Sequence, residues 1–127
     1  MLADLCPCGT AKRYDLCCGR LHRRSAEART AAELMRSRYS AYAVGDLDHV
    51  WRTWHPRTRP AEIAPDPDLT WTGLEIIDVV AGGPDDETGE VEFRASYSRN
   101  GQPGVRAERS IFERRRGRWV YVEEAGD

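Results

Sequence analysis

The chemistry open to this chain begins with four cysteines between residues 6 and 18, spaced C-x-C-x8-C-C, with none elsewhere. Adjacent Cys17 and Cys18 are poor partners for two separate disulfides, because such bridges need a narrow Cα separation and converging Cβ vectors. Four thiolates around one tetrahedral Zn²⁺ fit better, since sulfur satisfies the ion and leaves no open position. Pro7 and Gly9 hold the first pair in a tight turn, with backbone N–H groups free to point at the sulfurs. Two alternatives stay open: free or redox-active thiols, or His22 in place of Cys18 as the fourth ligand.

Beyond the cysteines the signals are weaker. Tyr39, Tyr42, Trp51, Trp54, Trp71, Trp119 and Tyr121 are many large aromatics for a chain of 127 residues. Most belong to a core, yet their hydroxyl and indole groups need partners and can line a cavity. His55, beside Pro56, Arg57 and Arg59, is either a general acid–base group or a helix C-cap donating to the last carbonyls. His49 is expected to be an exposed helix residue. Strand alternation puts Glu108 and Ser110 on one face with Phe112, and Arg109 on the other with Ile111. Either face can look inward, with Arg38 or Arg94 as ion-pair partner for a buried Glu108. The candidate pocket is therefore Tyr39, Tyr42, Trp54, His55, Glu108, Arg109 and Trp119. No nucleophile elbow, P-loop or dinucleotide fingerprint is present. Arg114, Arg115, Arg116 and Arg118 form a basic turn without the interleaved aromatics of a nucleic-acid surface, so no nucleic-acid role is expected.

These groups must be positioned by the elements around them. Residues 1–22 lack helical or strand periodicity and should take their order from the metal. Thr30-Ala31-Ala32-Glu33 reads as a capping box, threonine and glutamate each satisfying the other's backbone donor. Leu34, Met35, Arg38, Tyr39 and Tyr42 follow on one helical face, and Gly45 closes the helix as a left-handed cap. Asp46 opens a second helix with Leu47, Val50, Trp51 and Trp54 as its apolar stripe, stopped by His55-Pro56. Residues 57–68 carry Pro60, Pro65 and Pro67 and form a loop. From residue 69 the period changes to strands over 69–80, 91–97, 105–114 and 119–123. Val91, Phe93, Ala95 and Tyr97 alternate with polar neighbours, the mark of one wet face. Helix, helix, then a four-strand meander predicts an α+β fold, helices packed on one face of a curved antiparallel sheet around a conical pocket.

The run from Cys6-Pro7-Cys8-Gly9-Thr10-Ala11-Lys12-Arg13-Tyr14 to Cys17-Cys18-Gly19 resembles the SEC-C zinc motif at the C-terminus of the translocation motor SecA. That resemblance implies Cys6, Cys8, Cys17 and Cys18 as ligands of Zn²⁺. The whole chain resembles the bacterial YchJ-like family, in which a SEC-C motif precedes a domain similar to nuclear transport factor 2. The matching residues are 34–42 (LMRSRYSAY), 53–56 (TWHP), 71–74 (WTGL), 91–93 (VEF) and 117–122 (GRWVYV). The resemblance implies a zinc motif over residues 1–22 and a cone-shaped domain over 25–127. Some relatives carry a second SEC-C motif at the C-terminus; this chain ends at Asp127 without one, so a function needing two zinc modules is not expected.

Composition narrows the function classes. A net charge of −2 with 31% charged residues gives no global pull toward nucleic acid or membrane. Residues 1–5 have no basic n-region and no apolar run is long enough to span a bilayer, so neither a signal peptide nor a membrane span is expected. Clustered reduced cysteines suit the cytoplasm. The reading is a zinc protein, an interaction or ligand-binding module rather than an enzyme. SecA's motif contacts a chaperone and the ribosome, which implies a protein or ribosomal partner. The cone leaves room for a small-molecule ligand or for pairing of two copies through the sheet. The alternative is a hydrolase- or isomerase-type enzyme with its site in the cone.

Overall fold

A computed structural model describes residues 4–126. A 3-10 turn over Tyr14–Leu16 leads into α1 (Cys18–His22), followed by α2 (Ala31–Val44) and α3 (Leu47–Arg52). Four strands complete the chain: β1 (Leu69–Ala81), β2 (Thr88–Arg99), β3 (Gln102–Arg115) and β4 (Arg118–Glu124). They pair in sequence order as one antiparallel meander, so α+β with helices on one face is the observed architecture. Register irregularities at Trp71/Gly73 and Ile76/Asp78 on β1, and at Ile111/Phe112 on β3, are the local devices that bend such a sheet.

The alternation on β2 works as expected: Val91, Phe93 and Ala95 are buried against the helices. Phe112 and Trp119 join them from β3 and β4, and Leu34, Met35 and Tyr39 descend from α2. Cys6, Cys8 and Cys18 belong to the same apolar cluster. The cysteine segment is thus built into the core of the domain. Among the described residues no helix is long and apolar enough to cross a membrane.

Two helix details depart from expectation. The N-cap of α2 is half a capping box: Thr30 Oγ1 accepts from the Glu33 N–H at 3.0 Å, but Glu33 Oε1 takes the Arg29 N–H at 2.7 Å. The Glu33 carboxylate also accepts from Arg20 at 2.8 Å, which draws it toward α1. Helix α3, capped by Asp46 as read, stops at Arg52 and does not reach His55. The reason is competition for its backbone. Thr53 Oγ1 donates to the His49 carbonyl, Tyr121 N–H donates to the Thr53 carbonyl at 2.8 Å, and His55 N–H donates to the Tyr121 carbonyl at 2.8 Å. Strand β4 pulls the chain off its helical path, carrying Trp54 against Tyr121, while Trp51 is left 36% exposed.

His49 is the clearest correction. It is 2% exposed, not a surface residue. Ser37 Oγ donates to the Leu34 carbonyl at 2.7 Å and accepts from His49 Nε2 at 2.9 Å, which fixes the neutral tautomer with the proton on Nε2. The His22 ring lies 4.6 Å away, centroid to centroid. Burial first, then the neighbouring His22 and Arg52, push the His49 pKa down from 6.5 to about 3. The unfolded chain therefore binds a proton that the native state refuses. Stability from this site is complete above about pH 6.5 and declines as pH falls toward 3, by up to about 1.4 kcal/mol per pH unit. His49→Gln keeps a donor toward Ser37 and removes the titration. Denaturant unfolding between pH 7 and pH 4 should show a shallower loss for the variant. Equal slopes would mean His49 is not a source of the acid sensitivity.

Candidate metal centre and adjoining cavity

The cysteines are brought together by short-range backbone bonds. Cys6 N–H donates to the Lys12 carbonyl at 2.7 Å and Tyr14 N–H to the Asp4 carbonyl at 3.0 Å, folding the first segment back on itself. Gly9 N–H closes the turn onto the Cys6 carbonyl at 3.3 Å, so it is not free to point at a sulfur. The 3-10 turn then delivers Cys17, and Cys18 opens α1. Gly19 must lack a side chain, because a Cβ there would sit 2.7 Å from the Tyr14 carbonyl oxygen.

All four sulfurs lie within 4.8 Å of one another. The Cys8–Cys17 separation is 3.7 Å. Tetrahedral coordination with metal–sulfur bonds of about 2.3 Å requires sulfurs about 3.8 Å apart, whereas a disulfide requires about 2 Å. The spacing fits a shared ion, and no disulfide joins these residues. The cluster has its own polar collar. Ser40 Oγ lies 3.4 Å from Cys6 Sγ and Thr10 Oγ1 3.2 Å from Cys17 Sγ. Arg36 donates to the Cys8 carbonyl at 2.6 Å and Arg20 to the Cys17 carbonyl at 2.9 Å. Hydrogen bonds from Cys18 and Cys8 favour Cys6 as thiolate, and the same interactions push the Cys18 thiol up. Crowded thiols of this kind shed protons in favour of a cation. His22 stands apart: its Nε2 faces the Ser37 carbonyl at 2.8 Å and its Nδ1 the Tyr14 hydroxyl, which leaves no lone pair for a metal.

The second site is a cavity of about 570 Å³ between α2 and the inner face of the sheet. Tyr39, Tyr42, Trp54 and Glu108 of the expected pocket line it. The Phe112 face of β3 is the inner one, so Glu108 and Ser110 point inward, 8% and 1% exposed. Glu108 accepts from Arg106 at 2.9 Å, from Ser110 at 2.7 Å and from Tyr121 at 3.1 Å. Arg106, two positions along the same strand face, is its ion-pair partner, in place of the expected Arg38 or Arg94. Burial and the Glu108 carboxylate push the Tyr121 phenol up.

Three expected pocket residues lie elsewhere. His55 Nδ1 accepts from Arg57 N–H at 3.0 Å, so it shapes the turn after α3 and neither enters the cavity nor caps a helix by donation. Arg109 is on the outer face, bound to Asp78 at 2.6 Å, Glu92 at 2.8 Å and Glu90 at 3.2 Å. Trp119 is buried in the core, its indole N–H on the Arg29 carbonyl at 3.2 Å, and it borders a second space of about 430 Å³ near α1 and α3. Trp71, Tyr121 and Ser110, which the sequence offers as able to face a cavity, line it too, and Arg38, Tyr97 and Arg106 join them without a sequence signal for that place. Tyr97 is held over a gap in β3: a Cβ at Gly104 would lie 2.5 Å from its ring.

Comparison with known proteins matches both segments of the chain. Residues 30–124 match the family model described as YchJ, middle NTF2-like domain, and residues 3–20 match the SEC-C motif. The chain belongs to the YchJ-like family. A UPF0225 protein of Streptomyces coelicolor is 52% identical over 118 residues, 93% of this chain and 92% of that one. A UPF0225 protein of Deinococcus radiodurans is 46% identical over 121 residues, 94% and 88% of the two chains. The solution structure of a SEC-C motif containing protein from Rhodopseudomonas palustris is 34% identical with a TM-score of 0.84, covering 98% of this chain and 99% of that one. A SEC-C motif containing protein from Psychrobacter arcticus, 21% identical, shares the fold at a TM-score of 0.78, covering 98% and 84%.

Groups that orient ligands without binding the ion commonly contribute about 10- to 100-fold to metal affinity. Thr10→Val should therefore weaken metal retention about tenfold in chelator competition, with the fold intact by circular dichroism. Unchanged retention would make Thr10 a bystander to the thiol cluster.

Proposed function

We propose that this family member is a zinc protein in which Cys6, Cys8, Cys17 and Cys18 hold one Zn²⁺ as a closed structural site, and that it works as a binding module rather than as an enzyme. The observation that carries this reading is the sulfur geometry, with Cys8 and Cys17 3.7 Å apart and all four thiols mutually adjacent. Four sulfurs satisfy Zn²⁺ and leave no position for a substrate or an activated water. The zinc motif, residues 1–22, and the cone, residues 25–127, act as one folding unit, since three of the cysteines pack into the domain's core. Metal binding free energy is then folding free energy for the whole chain. Reduced thiols support a cytoplasmic setting.

The likeness of the motif to that of SecA supports a protein or ribosomal partner, and the sheet's outer face, where Val80 is exposed opposite Glu90, supports pairing of two copies. A second reading, a hydrolase- or isomerase-type enzyme, draws on the inward-facing Glu108 with Tyr121 and Ser110. Against it, no histidine lines that cavity, and the carboxylate already accepts three hydrogen bonds.

Elemental analysis of protein purified without chelator should give one zinc per chain, with four thiols that react only after metal removal. Removing the metal should lower the melting temperature of the entire domain in a single transition. Metal-free protein with freely reacting thiols would sink the structural-zinc reading. Co-sedimentation with ribosomes, or capture of a partner, should be lost together with the metal.

A further inference from the structure

The cavity between α2 and the sheet has an unbalanced polar lining. Arg38 is 5% exposed, yet both of its hydrogen bonds, to the Val50 carbonyl and to Thr53 Oγ1, each 2.8 Å, use Nη1. Its guanidinium carbon lies 4.6 Å from the centre of the Tyr121 ring and 5.1 Å from that of Trp54. Those contacts account for one nitrogen and the faces. They leave the Nε–Nη2 edge with no acceptor among the described residues. That edge is the planar two-donor fork that matches a carboxylate. Trp54 Nε1, on the same wall, is also without a partner. The inward carboxylate, Glu108, makes no hydrogen bond to that edge; its bonds go to Arg106, Ser110 and Tyr121. The other arginine on the lining, Arg99, is bound to Asp66 at 2.8 Å. The cavity thus holds one buried guanidinium with a neighbouring carboxylate but no direct acceptor on its free edge among the described residues, a position that a bound anion would complete.

The remaining wall describes the body of the occupant. Trp71 is met edge-on by Tyr39 at 5.9 Å and by Tyr97 at 5.7 Å, with Tyr42 at 6.5 Å. Aromatic rings in this arrangement offer faces and edges to a flat apolar group. A volume of about 570 Å³ falls among small-molecule sites. We propose that this cavity is a binding site for a small planar aromatic carboxylate, its carboxylate on the free edge of Arg38 and its ring against Trp71, Tyr39 and Tyr97. The site is independent of the metal reading, because no cysteine lines it.

Three probes with one ring system test the charge rule on the metal-loaded full chain: 2-naphthoate, 2-naphthamide and 2-naphthylmethylammonium, titrated by two-dimensional NMR. The acid should bind at least tenfold more tightly than the amide and the ammonium, with shifts centred on residues 38–42, 71 and 93–97. Arg38→Met should abolish that preference. Because that variant can fail to fold, Glu108→Gln provides the second arm. It is isosteric, removes the competing negative charge, and should tighten 2-naphthoate several-fold while leaving the amide unchanged. Equal affinity for acid and amide, preference for the ammonium, no binding of any probe, shifts confined to the cysteine segment or the outer face, or weaker acid binding by Glu108→Gln would each overturn the assignment.

Discussion

The structure depends on four sulfur atoms sharing one small volume inside an apolar core. Cys6, Cys8 and Cys18 are nearly inaccessible, and they touch the same residues of α2 that cover the sheet. Buried thiols crowded this closely are poorly satisfied by one another, and thiolates even less so without a cation. A bound ion turns that liability into the strongest set of contacts in the N-terminal segment, which has little apolar surface of its own to bury. The short α1 and the 3-10 turn are too brief to be stable alone.

Helix α2 transmits that constraint, because it is used on both sides. Ser37, Ser40 and Arg36 face the cysteine segment and its flanking histidines, through bonds to His49, Cys6 and the Cys8 carbonyl. Met35, Arg38, Tyr39 and Tyr42 face the cavity. A helix flanked on two sides buries serines and an arginine alongside its leucine and tyrosine. The small hydroxyls are what allow the cysteine loop to approach. Among the described residues, the fully buried side-chain polar atoms without a partner are two ring nitrogens, His49 Nδ1 and Trp54 Nε1.

What was legible in the residues divides along the range of the interactions. The strands and the wet face of β2 follow from alternation that is local in sequence, though alternation alone leaves either face of β3 able to look inward, and the thiol cluster follows from residues at most twelve positions apart. The N-cap at Asp46 and the left-handed Gly45 are likewise local chemistry. Most of the errors are non-local. His49 is buried because α1 lies across it, and α3 ends early because β4, some seventy residues later, competes for the backbone after Arg52. Glu108 found Arg106 instead of Arg38 because a neighbour on the same strand face needs no long-range closure. Trp119 reads as a cavity aromatic from composition alone; its indole went to the Arg29 carbonyl because the chain entering α2 runs over β4.

Adjacent residues Glu108 and Arg109 show how little residue type alone decides a role. Both are charged and both are held by several partners, but strand alternation sends them to opposite sides of one sheet. Outside, Arg109 gathers Asp78, Glu90 and Glu92 in a water-exposed network, where screening keeps each pair weak. Inside, Glu108 meets Ser110, Tyr121 and one arginine among aromatic rings, where every unmet donor or acceptor matters far more. The same low-dielectric setting makes Arg38 informative. An exposed arginine with a free edge would simply be hydrated, but at 5% exposure the free edge defines what the cavity lacks.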